Sequence, residues 1–148
     1  MAYWDTSALA KLYIHEPDSP RYGQILRESL EPLQTSILSL AELYKVFWSK
    51  ALARGLSYEG PDVLVQMISE AVEKGRLHLI SYDRHLLGHV RPIIATCYSR
   101  PHPLRPRSAD GIHLASARFV AAAEVVCVDQ RMRAAAESLG FSLLPRTI

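Results

Sequence analysis

Cysteine is scarce: the chain has two, Cys97 and Cys127, each in an apolar stretch. A scaffold held by disulfides needs more, so a reducing compartment is the expectation. No apolar run approaches the roughly 20 residues that span a bilayer. The opening Met1-Ala2-Tyr3-Trp4-Asp5 has no basic stretch and meets an acid at once, so it does not read as a signal peptide. Together these absences predict a cytoplasmic protein with no membrane partner. Also missing are G-x-x-x-x-G-K-[ST] and G-x-G-x-x-G, which leaves phosphate cradling by a glycine-rich loop unsupported. The cysteines lack zinc-finger spacing, and no G-x-S-x-G presents a nucleophile. Internal repeats, linkers and low-complexity segments are absent too. The 148 residues therefore read as one domain, 1–148. A domain of that length buries about two-thirds of its unfolded surface and needs no staple.

What is present looks globular, with 49% hydrophobic and 22% charged residues. The net charge of +2 is modest, but it is unevenly spread. Residues 1–60 hold six Lys/Arg against seven Asp/Glu, whereas residues 76–118 hold seven Arg against two Asp and five of the six histidines. The second stretch is either an anion-facing surface or an ordinary solvated one.

Short apolar runs alternate with helical patterns. Ala2-Tyr3-Trp4 ends at Asp5, after which Thr6 or Ser7 can cap a helix carrying Leu9, Leu12 and Tyr13. Ser19-Pro20 opens a second helix running to Leu30. Residues 35–38 read as a brief strand, and Ser39 caps a longer helix with Leu43, Phe47 and Leu52 on one face, closed by Gly55. Gly60-Pro61 precedes another helix, residues 77–80 form a strand, and Asp83 caps the helix after it. Residues 99–107 hold three prolines and three arginines and predict an irregular segment. Ser108 caps a helix through Phe119; residues 124–128 are the most β-branched run and end at Asp129. A short helix to Leu139, Gly140 as its stop, and an apolar run at 141–144 close the chain. This alternation predicts an α/β fold: a parallel sheet of four to five strands flanked by helices.

In such a sheet, ligands bind beyond the carboxyl ends of the strands. Asp5 and Asp129 stand where strand gives way to helix, and Glu42 and Asp110 lie in first helical turns. Each has an ordinary explanation. Ser39-x-x-Glu42 is a capping box, Asp110 suits a helix dipole, and Asp5 and Asp129 can cap. Four carboxylates at one sheet edge need more than that, because they repel one another unless a cation sits among them. Mg²⁺ or Mn²⁺, with oxygen ligands and retained waters, is the natural partner. His113, three residues after Asp110, falls near the apolar stripe and reads as a core or supporting residue rather than a ligand. Arg100, Arg105 and Arg107 are candidate phosphate clamps, because guanidinium suits bidentate phosphate contact.

Four stretches resemble one family, the PIN-domain nucleases. Asp5-Thr6-Ser7-Ala8-Leu9 with Lys11-Leu12-Tyr13 looks like its opening acid, and Ser39-Leu40-Ala41-Glu42-Leu43 like its second motif. The run from Arg107-Ser108-Ala109-Asp110 through Ile112-His113-Leu114-Ala115 is similar to the third, and Val126-Cys127-Val128-Asp129-Gln130 to the fourth. Cys127 stands where the family commonly has Thr or Ser, and a thiol is the weaker donor. A single domain of this length resembles the VapC-type toxins of toxin–antitoxin pairs. The resemblance implies a PIN-like fold and Mg²⁺- or Mn²⁺-dependent RNA cleavage that leaves a 5′-phosphate. It also implies a homodimer and a small antitoxin protein. Two other readings compete with a ribonuclease. One is a non-catalytic PIN-like module binding RNA or protein. The other is a phosphatase that uses Asp5 as nucleophile, although Ser7 stands where that chemistry usually has a second acid.

Overall fold

The computed structural model describes residues 1–53 and 60–148. Five short strands form one all-parallel sheet: β1 (Ala2–Trp4), β2 (Leu33–Ser36), β3 (Leu77–Ile80), β4 (Glu124–Val126) and β5 (Ser142–Leu144), in the order β3-β2-β1-β4-β5. The described helices are α1 (Thr6–Ala10), α2 (Ser19–Glu28), α3 (Leu38–Leu52), α4 (Pro61–Glu73), α5 (Arg84–Tyr98), α6 (Ser108–Phe119) and α7 (Gln130–Ser138). None is long and apolar enough to cross a membrane. The chain lays β2 and β3 to one side of β1, then returns to lay β4 and β5 on the other. The crevice outside the carboxyl ends of β1 and β4 is thus a topological switch point, where open parallel sheets bind ligands.

The central strands are buried on both faces, as a parallel sheet requires. Neighbouring side chains alternate between two cores. Tyr3 and Val125 face one, with Leu86, Ile93, Leu114 and Met132 from α5, α6 and α7. Trp4 and Val126 face the other, with Leu9, Tyr22, Leu43, Phe47 and Leu64 from α1 to α4. At the turn bearing Asp110, a Cβ on Gly111 would stand 2.8 Å from Ile94 Cδ1; glycine there lets α6 close on α5.

Several helix starts differ from the sequence expectation. Asp5 itself caps α1, accepting from the Ala8 N–H at 2.8 Å, in place of Thr6 or Ser7. The brief strand ends at Ser36, and α3 begins at Leu38 with Ile37 as its cap residue. Ser39 therefore lies inside the first turn, its hydroxyl 2.6 Å from Thr35 Oγ1, and forms no capping box with Glu42. Arg107, not Ser108, is the cap residue of α6, and its N–H donates to Asp110 Oδ2 at 2.7 Å. Leu52 is 82% exposed and leaves the buried face that Leu43 and Phe47 share. Gly55 lies outside the described residues. The expectations for β3, for Asp83 as a cap, for the irregular 99–107 segment and for Gly140 (φ 89°) after α7 match the fold.

Candidate active site

The four sequence-predicted acids line one pocket of about 620 Å³ at the carboxyl edge of the sheet. Asp5 follows β1 and is 4% exposed. Ser7 Oγ donates to its two oxygens at 2.7 and 2.8 Å, and also accepts the Val128 N–H at 3.0 Å, tying the ends of β1 and β4 together. Burial pushes the Asp5 pKa up to about 6, against the pull of the Ala8 N–H. Asp129 follows β4 and caps α7 with bonds from the Arg131 and Met132 N–H groups at 2.9 and 3.0 Å. Those bonds, rather than the thiol of Cys127, hold it. Cys127 is buried, and burial pushes its thiol well up.

Glu42 reaches the pocket from the second turn of α3 and Asp110 from the first turn of α6. Glu42 is the fifth residue of α3, past the first turn expected from sequence, and faces α6, where His113 Nε2 lies 2.8 Å from its Oε2 and Thr6 Oγ1 donates to the same oxygen. Burial alone would raise its pKa, but the bonds from His113 and Thr6 outweigh it and hold the carboxyl below its usual range. Asp110, 4% exposed, is fixed by the Arg107 N–H and faces the Arg107 guanidinium, whose Nη2 is 3.3 Å from Oδ1. The same Nη2 donates to Asp129 Oδ2 at 2.9 Å. One cationic side chain thus bridges two of the four acids, which hold it charged.

This donor set suits a hard divalent cation. Four carboxylates converge on one pocket, two of them buried, and their charge already draws in a guanidinium. Among the described residues no three acidic, imidazole or thiol groups stand in an arrangement that holds an ion as they are. Arg107 lies between Asp110 and Asp129 in that arrangement.

The candidate clamps divide. Arg107 lines the pocket, whereas Arg100 and Arg105 do not. Arg105 is exposed on the 99–107 segment. Arg100 donates to the Ser138 carbonyl, at the end of α7 opposite Asp129. Nine helical residues separate those ends by roughly 13 Å. The expectation that all three arginines stand beside the acids is therefore corrected to Arg107 alone. In exchange, Lys45 and Lys50 line the pocket, neither singled out from sequence. They lie three and eight residues after Glu42, spacing that puts all three near one helical face and could have found them. Tyr3, Thr6 and Ser7 were missed as well; Thr6 and Ser7 follow Asp5 directly, but Tyr3 points into the core on one face of the sheet.

No family model matches the chain. It is similar to Ribonuclease VapC46 of Mycobacterium tuberculosis, with 27% identity over 149 residues, 96% of this chain and 95% of the relative. Its fold is similar to that of M. tuberculosis VapC20, described as a sarcin–ricin loop cleaving toxin. That match has a TM-score of 0.66 and 14% identity, over 91% of this chain and 95% of the other. It is also similar to the crystal structure of FitAcB from Neisseria gonorrhoeae, with a TM-score of 0.64 and 18% identity, over 99% of this chain and 98% of that one. In fold the chain is similar to these two solved structures, and along nearly all of its length it is similar in sequence to a VapC-type ribonuclease.

Proposed function

We propose that the chain is a Mg²⁺- or Mn²⁺-dependent endoribonuclease, the toxin of a toxin–antitoxin pair, acting in the cytoplasm. The observation that carries this is the convergence of Asp5, Glu42, Asp110 and Asp129 on one pocket at the switch point of the sheet. Asp5 and Asp110, the buried pair, would hold the cation, with Glu42 and Asp129 completing the shell directly or through water. When bound, the cation activates water and offsets charge on the phosphate. The protein does the rest. Ser7 and the Ala8 N–H fix the orientation of Asp5, and His113 and Thr6 keep Glu42 ionised at the pocket wall. Lys45 and Arg107 offer positive charge to the phosphates on either side. Arg105 and Arg100 lie farther out and would meet only phosphates flanking the scissile one.

The same reading includes an RNA substrate, a small antitoxin and a homodimer. Supporting a protein partner, Tyr44, Trp48 and Leu52 are 44%, 49% and 82% exposed at four-residue spacing along α3. An amphipathic helix suits such a stripe. The retention of all four acids favours an enzyme over a binding module. The test is incubation of end-labelled RNA with Mn²⁺, with and without chelator. Cleavage that stops on chelation and leaves 5′-phosphate ends is expected; tight RNA binding with no cleavage in Mn²⁺ would return the binding module.

A further inference from the structure

The pocket wall behind Glu42 is backed by a chain of hydrogen bonds that starts at the end of β2. The Ser36 N–H donates to the Tyr3 hydroxyl at 3.0 Å, the hydroxyl lies 2.6 Å from His113 Nδ1, and His113 Nε2 lies 2.8 Å from Glu42 Oε2. Tyr3 is fully buried and His113 is 3% exposed. The hydroxyls of Thr35 and Ser116 also approach the Tyr3 hydroxyl, but its short contact to a side-chain acceptor is the one to Nδ1. A buried O–H that donated nowhere would cost the desolvation of that group. The proton therefore goes to Nδ1, which must be unprotonated, and the ring carries its hydrogen on Nε2 and donates it to Glu42.

Every bond in the chain has a fixed direction, set at one end by the backbone of β2. Glu42 does not need this bond to escape burial, because its side chain is 33% exposed and water could serve it. What the bond adds is orientation. Helix α6 thus presents one acid, Asp110, and one turn later the group that aims another. We propose that Tyr3 and His113 form a directional relay that fixes the Glu42 carboxylate for metal binding, with His113 a positioning residue rather than a ligand. The proposal rests on the metal-site reading of Glu42 given above.

Two measurements test it. Long-range ¹H–¹⁵N correlation spectra of the metal-free protein report the His113 tautomer. The Nε2–H form is expected in the wild type, and a tautomer mixture in Tyr3→Phe; an Nδ1–H ring or an imidazolium in the wild type at neutral pH would overturn the relay. Calorimetric titration with Mn²⁺ reads its consequence. Loss of an outer-shell partner typically weakens metal affinity about 10–100-fold. A loss in that range is expected for His113→Leu, with a smaller loss for Tyr3→Phe. His113→Gln, which restores an N–H donor, should recover most of it. Should His113→Leu fail to fold, Tyr3→Phe and His113→Gln decide. Wild-type affinity in His113→Leu alongside weak binding in Glu42→Gln would overturn the relay and leave the metal site standing. Wild-type affinity in Glu42→Gln would instead remove Glu42 from the metal site, and the proposal with it.

Discussion

The guanidinium of Arg107 lies 2.9 Å from the carboxylate of Asp129, across the mouth of a pocket whose floor holds Asp5 and Asp110. The two residues belong to different helix starts, on the two sides of β4 in the chain. Their pairing places a guanidinium among the acids.

Because the Arg107 side chain is 57% exposed, its pairs are screened and contribute less than about 1 kcal/mol to folding. If Asp110 and Asp129 take part in the proposed metal site, its guanidinium would have to give way to the cation. Arg107→Gln should bind Mn²⁺ tighter, by up to about fivefold for a competition of that size, and should lose turnover if the guanidinium also holds phosphate. Calorimetry and single-turnover cleavage check the two halves. Weaker Mn²⁺ binding in the variant would show that Arg107 orders the acids rather than competing at them.

Asp5 gives the apo protein a pH dependence. Its folded pKa of about 6 lies above the usual unfolded value near 3.9, so the folded state prefers the protonated acid. That preference stabilises fully below about pH 4 and is lost as pH rises through about 6. Apo stability should fall by about 2–3 kcal/mol over that window from this group alone. Asp5→Asn keeps the cap and has no proton to lose, so its denaturation midpoint should be flatter with pH and higher at neutral pH. A wild-type profile as flat as the variant's would refute the shift. Mn²⁺ binding needs the ionised acid, so wild-type affinity should climb across the same window.

The course of the loop through residues 99–107 sets a different expectation for RNA binding. Each phosphate neutralised on a single strand adds about 0.7 to the slope of log affinity against log salt. With Ca²⁺ in place of the catalytic metal, Lys45→Ala should flatten that slope more than Arg100→Ala, since Lys45 lines the pocket and Arg100 is anchored near Ser138. Fluorescence anisotropy at two or more ionic strengths measures both. An Arg100→Ala effect equal to that of Lys45→Ala would put the RNA path along the far side of α7.

Much of this was legible in the sequence. The alternation of strand and helix, the parallel sheet and all four acids follow from local patterns, because strand-to-helix junctions in such a sheet fall on one edge. What failed was tertiary. Ser39 has the spacing of a capping residue, yet its hydroxyl bonds Thr35 and the helix starts two residues earlier, at Leu38 with Ile37 as its cap. Glu42, freed of the capping box, turns to His113 on another helix. Arg100 is near Arg107 in sequence, but it sits at the opposite end of α7 from the acids. Tyr3 reads as a core aromatic, and its polar end finds a partner 110 residues away that no local spacing reveals.

The central claim is that the acids hold a metal that cleaves RNA. Its most direct test is Mn²⁺-dependent cleavage of a single-stranded RNA by wild type, Asp5→Asn and Asp110→Asn, each confirmed as folded by circular dichroism. Loss of one essential acid should cut the rate by two orders of magnitude or more, about 2.7 kcal/mol of transition-state stabilisation. Metal-dependent cleavage in the wild type and its loss in both folded variants is the result predicted. Wild-type rates in either variant, or cleavage indifferent to metal, would contradict the account.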